Sequence, residues 1–106
     1  MIVTTTETVE GRRITENLGL VRGNVIRARH VGRDIGAVVR HLFGGEIREY
    51  TKLMAESREQ AVDRMVEDAE TLGADAVINV RFTTSMIMNS SAEILAYGTA
   101  VNLEAR

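Results

Sequence analysis

The sequence predicts an α+β domain in which a sheet of about four strands packs against one short and one long helix, in the order β-β-α-α-β-β. Three observations carry this. Residues 47–72 repeat apolar side chains at helical spacing, and the shorter stretch 34–43 does the same. Both ends of the chain are rich in Val, Ile and Thr, with the alternation of strands. Between helix and strand lies Leu72-Gly73-Ala74-Asp75-Ala76-Val77-Ile78-Asn79-Val80. This run ends the long helix on a glycine and begins a buried strand about three residues later.

Residues 1–6 read as a short strand, and Glu10-Gly11-Arg12 as a turn. Residues 13–29 read as one long bent strand, or two with a kink. Gly19 and Gly23 interrupt their apolar positions, and glycine within a strand marks a bulge or a close backbone approach. Asp34 can cap the short helix, because its carboxylate accepts from a first-turn amide that lacks an internal partner. Ile35, Val38, Val39, Leu42 and Phe43 then form one stripe, and Gly44-Gly45 ends it. The long helix sets Leu53, Met54, Ala61, Val62, Met65, Val66, Ala69 and Leu72 on one face, with Tyr50 preceding them. In the next strand Ile78, Val80 and Phe82 alternate with Asn79, Arg81 and Thr83. The last, 94–103, is apolar on both faces, so both sides of the sheet need cover.

The chain has 106 residues, no proline, no repeat and no composition shift, which predicts a single domain over 1–106. Hydrophobic residues make up 44%, yet there are only two Phe, two Tyr and no Trp. A core of Val, Ile, Leu, Ala and Met must then fill a two-faced sheet, and a partner subunit is expected to help. Cysteine is absent, which removes disulfides, thiolate metal sites and a cysteine nucleophile. No signal-peptide pattern opens the sequence, and no run approaches the roughly 20 apolar residues of a membrane span, so a cytoplasmic protein without membrane contact is expected. The net charge of −2 argues against broad attraction to nucleic acid. Charge is unevenly spread: residues 22–41 hold five arginines against Asp34, and 46–70 hold eight acids against four bases. Such runs are usually solvated faces; their alternative reading is a pair of complementary edges that meet between subunits.

The chemistry-bearing residues are few. Soft and borderline cations favour thiolate, thioether and imidazole ligands, and this chain offers His30, His41, Met86 and Met88 of those types. Arg29 and Arg33 near His30 oppose a cation, His41 falls off the apolar stripe, and extended Met86-Ile87-Met88 would set two thioethers on one side. A site of three or four convergent ligands would have to form between subunits. Ser57, Ser85, Ser90 and Ser91 lack the context of an activated nucleophile. The acids Glu56, Glu59, Asp63 and Glu67, interleaved with Arg58 and Arg64, read as a solvated helix face. Gly44-Gly45 lacks the Lys-Ser/Thr of a phosphate loop and is followed by Glu46. The arginine cluster has no interleaved aromatics on which bases could stack.

An ordered set of segments adds a family. Met1-Ile2-Val3-Thr4-Thr5-Thr6, Thr8-Val9-Glu10-Gly11 with Ile14, Leu18-Gly19-Leu20-Val21, Arg33-Asp34, Gly44-Gly45, Leu72-Gly73-Ala74-Asp75-Ala76-Val77 and Gly98-Thr99-Ala100-Val101 together resemble the YbjQ family of "putative heavy-metal-binding" proteins. The resemblance spans essentially the whole chain. It implies a dodecin-like α+β fold and a homo-oligomeric ring, with a pentamer as the expected form. It also implies a transition-metal ion as cofactor, for which the candidate ligands in this chain are those named above, His30, His41, Met86 and Met88. Many relatives carry methionines just before the final strand, where this chain has Ser91-Ala92-Glu93. The expected role is a binding or assembly module; the alternative is an enzyme with a site shared between subunits.

Overall fold

A long hairpin forms the spine of the structure. The computed structural model describes residues 1–28, 46–88 and 91–105. Strands β1 (Ile2–Val3) and β2 (Ile14–Ala28) precede helix α1 (Glu46–Thr71), and the hairpin of β3 (Ala76–Met88) and β4 (Ser91–Leu103) follows. The short helix expected over 34–43 lies outside the described residues. The sheet order is β1-β3-β4-β2, with β1 parallel to β3 and the other pairs antiparallel. Within the segment expected over 13–29, Ile14–Ala28 is one strand, bent by register shifts at Ile14/Glu16 and Asn17/Gly19. The hairpin strands run further than expected, to Met88 and from Ser91.

The junction after the long helix forms as expected. Gly73 has φ of 75°, and its N–H donates to the Glu70 carbonyl at 3.0 Å while the Ala74 N–H donates to the Ala69 carbonyl at 3.1 Å. These are the paired bonds of a Schellman cap. A side chain at this left-handed position is strained, so Gly73→Ala is expected to cost about 1 kcal/mol. An unchanged melting temperature would contradict that.

Helix α1 buries Ser57, Ala61, Met65 and Ala69, four residues at successive i+4 steps, against Val21, Val25, Val77, Val80, Ile94, Ala96 and Ala100 of the sheet. The two glycines of β2 serve the two purposes expected of strand glycines. Gly19 sits at a bulge with φ of 104°, its N–H held by Asn17 Oδ1 at 2.8 Å. Gly23 lies beneath the helix backbone, where a Cβ would stand 2.2 Å from the Ala61 carbonyl oxygen and 2.4 Å from the Met65 nitrogen.

A second, smaller core occupies the opposite face. Ala76, Ile78, Val101 and Leu103 are buried there, with Val9 and Ile14 packed on them. The segment between β1 and β2 provides this cover. It is tied down where the Thr4 N–H donates to the Val77 carbonyl and the Asn79 N–H to the Thr6 carbonyl, both at 3.0 Å. The regular alternation expected of Ile78, Val80 and Phe82 is corrected by a bulge. Between Ile78 and Arg81 the register gains one residue on β3, and Asn79 takes φ of 54°. Ile78 therefore belongs to the small core and Val80 to the main one. Gly98 stands opposite, where a Cβ would meet Val77 Cγ1 at 2.7 Å and the Ile78 oxygen at 2.8 Å.

Candidate functional site

The expected metal ligands are not brought together within the described part of one chain. His30 and His41 lie outside the described residues. Met86 is exposed on β3, opposite Ala92. Met88 pairs with Ser91, so the backbone register slips by one residue between the two methionines, and the simple alternation assumed for Met86-Ile87-Met88 does not hold. Among the described residues, no group of three or more His, Asp or Glu could hold a metal ion.

The serine and acid stripes resolve into structure. Ser57 is fully buried; its Oγ donates to the Leu53 carbonyl at 2.8 Å and accepts from Arg27 Nε at 2.9 Å. The Arg27 guanidinium also donates to Gln60. Glu56, Glu59, Asp63 and Glu67 are exposed on the outer face of α1. A cleft of about 700 Å³ beside the β1–β2 segment is lined by Ile2, Val9 and threonines 4, 6 and 8. Several of its polar groups are already bonded: Thr4 and Thr6 hydroxyls bond at 2.8 Å, Thr6 Oγ1 donates to the Thr8 carbonyl at 2.6 Å, and Arg12 Nη2 donates to the Glu104 carbonyl at 2.9 Å.

What stands out is surface that the described residues leave without cover. On the face opposite α1, cross-strand register places Leu20 beside Thr99, Arg22 and Arg81 on either side of Tyr97, and Leu95 between Asn24 and Thr83. Leu20 is 66% and Ile26 58% exposed, while Leu95 and Tyr97 are half-buried by their neighbours. The β1–β2 segment covers this face only over the small core. Arg81 leans to the edge, where its Nη1 donates to the Thr5 carbonyl at 2.9 Å. Beyond that point no strand among the described residues lies on the outer side of β3, and Phe82 and Met86 are 46% and 68% exposed. Sequence reasoning recognised a two-faced apolar strand but not this open edge, whose residues carry no unusual composition. No described helix is long and apolar enough to cross a membrane.

Comparison with known proteins gives a likeness of fold and a family. A structure of a protein of unknown function in the DUF74 family, from Pediococcus pentosaceus, superposes with a TM-score of 0.69 over 98% of both chains at 17% identity, a likeness of fold. A UPF0145 protein of Halorubrum lacusprofundi is 62% identical over 97% of this chain and 99% of its own. One of Methanosarcina acetivorans is 57% identical over 97% of each. The model of the family described as "Putative heavy-metal-binding" matches residues 1–104. On that match and those identities, the chain belongs to the YbjQ family, shared with the UPF0145 proteins.

Proposed function

We propose that this chain is one subunit of a homo-oligomeric ring, pentameric in its expected form, and that it serves as a cytoplasmic binding or assembly module rather than a catalyst. The observation that carries the reading is a sheet that, among the described residues, has apolar side chains uncovered on one face and no strand paired on the outer edge of β3 past Arg81. An isolated domain would hide such surface. The shape agrees. The radius of gyration is 17.6 Å and the extents are 57 × 21 × 17 Å, whereas a compact chain of this length has a radius near ~13 Å. An elongated subunit of this kind gains its missing burial from neighbours. Two different edges of one sheet favour a head-to-tail contact, which closes into a ring when the rotation allows.

Native mass spectrometry of the purified full chain tests this. A single species at a multiple of the chain mass is expected, five by the family resemblance, and a monomer at micromolar concentration would overturn the reading. The same spectra test the family's metal description. His30, His41, Met86 and Met88 would have to meet across subunits, and bound Cu, Zn or Ni would appear as discrete mass increments that vanish in a His30→Ala/His41→Ala variant.

A further inference from the structure

The hydroxyls of the cleft beside the β1–β2 segment are turned in one sense by their own hydrogen bonds. Thr4, Thr6 and Thr8, at alternate positions of the segment, line the cleft together. The sheet holds them in place: the Thr4 carbonyl accepts from the Val80 N–H and the Thr6 carbonyl from the Asn79 N–H, both at 3.0 Å. A threonine hydroxyl has one proton to give and two lone pairs to receive with. Thr6 gives its proton to the Thr8 carbonyl at 2.6 Å, so in the 2.8 Å contact between the Thr4 and Thr6 hydroxyls the donor is Thr4. The Thr6 N–H in turn donates to Thr4 Oγ1 at 3.2 Å. Both hydroxyl protons are therefore used inside the chain, while each oxygen keeps one lone pair. Toward a ligand, Thr4 and Thr6 can only accept.

The charged groups around the cleft favour the same kind of guest. Arg12 Nε and Nη2 both donate to the Glu104 carbonyl, at 3.3 and 2.9 Å, and Arg13 is paired with the Glu104 carboxylate at 3.3 Å. Glu10 belongs to the lining and lies in a turn closed by the Arg12 N–H donating to the Val9 carbonyl at 3.1 Å. It has no ion pair among the described residues. Ile2 and Val9 make the apolar part of the wall. The stretch 29–45 does not reach this end of the sheet. It joins Ala28 to Glu46, each roughly 40 Å away along β2 and α1, so a path to the cleft and back exceeds the roughly 60 Å that the stretch spans when fully extended.

We propose that this cleft binds an organic ammonium ion, a primary amine on a short apolar stem. Its nitrogen donates to Thr4 Oγ1 and Thr6 Oγ1, which are close enough together for one nitrogen to reach both. The Glu10 carboxylate balances its charge, and its stem lies against Ile2 and Val9. An ammonium group has three donors and no acceptor, the complement of a pair of hydroxyls that only accept. An anion would meet lone pairs at both. A hard metal ion takes six or more oxygens and has no use for the apolar wall, whereas one carboxylate and two hydroxyls supply far fewer. The volume of about 700 Å³ suits a small molecule. The inference goes beyond the assembly reading and does not depend on the ring.

Calorimetric titration of the full chain with n-butylammonium tests this. Butanoate and 1-butanol serve as probes of the same length with the opposite charge and with none. Saturable binding of n-butylammonium is expected within a range up to about 10 mM, and no binding of the other two. Glu10→Gln and Thr6→Val, both at exposed positions, are each expected to weaken it about fivefold while the far-ultraviolet circular dichroism spectrum stays that of the wild type. A wild type that shows no saturable binding, or that takes butanoate equally well, would overturn the assignment. So would a Glu10→Gln variant that binds as tightly as the wild type. Native mass spectrometry decides the ring separately, so either reading can fail without the other.

Discussion

Gly23→Ala is expected to lower stability by about 3 kcal/mol, the upper end of the cost of overpacking a close-packed contact. The atoms a Cβ would strike explain the size. The Ala61 oxygen at 2.2 Å and the Met65 nitrogen at 2.4 Å are helix backbone, and Arg64 Cβ follows at 2.7 Å. No rotamer change relieves them, so α1 must lift off β2. Lifting also lengthens two contacts along the strand edge, where Arg64 Nη1 donates to the Asn24 carbonyl at 2.6 Å and Asp68 Oδ2 accepts from the Arg22 N–H at 3.2 Å. A thermal melt at fixed protomer concentration should show a fall of more than about 10 °C. A melt matching the wild type would mean that the helix does not rest on this strand.

Met65→Ala is expected to cost about 2–5 kcal/mol, in the upper part of that range. Met65 is fully buried and is the largest such side chain in the core. Ala61 and Ala69, one turn to either side, are too small to fill the space it would leave, and α1 is held close to β2 on both sides of the site. The cavity therefore stays open. In a denaturant titration the midpoint should fall with little change in slope. Met65→Leu, which nearly conserves volume, should cost less than about 1.5 kcal/mol.

The parts of this fold legible in the sequence are those decided by neighbours in the chain. Gly73 caps α1 because the apolar period stops beside it, and the Schellman bonds involve residues within five positions of one another. Gly19 and Gly23 are read correctly as bulge or close approach, but which is which depends on a helix that begins more than twenty residues later. Asn79 is misread because Ile78, Val80 and Phe82 satisfy the two-residue period on paper. The need for a bulge arises from the small second core, which pulls Ile78 the other way. Arg64 and Asp68, an i, i+4 pair among other charges, look like part of an ordinary solvated face. Their role depends on where β2 lies, information that no local pattern holds. As for the candidate site, the need for cover on a two-faced strand is visible in composition, whereas the direction of the Thr4 and Thr6 hydroxyls is set by how residues 4–8 fold back on themselves and leaves no mark in the sequence.

The bulge at Asn79 also divides the hairpin into two parts with opposite allegiance. Before it, β3 belongs to the chain's own interior, with β1 alongside and a small core beneath. After it, the same strand is a projecting arm whose facing is reset by a single extra residue. A strand without the bulge would turn every residue from Val80 onward through half a revolution, putting Val80 and Phe82 where Arg81 and Thr83 now stand. One backbone residue in an uncommon conformation thus serves as the joint between the stretch of β3 that lies beside β1 and the stretch that extends past it.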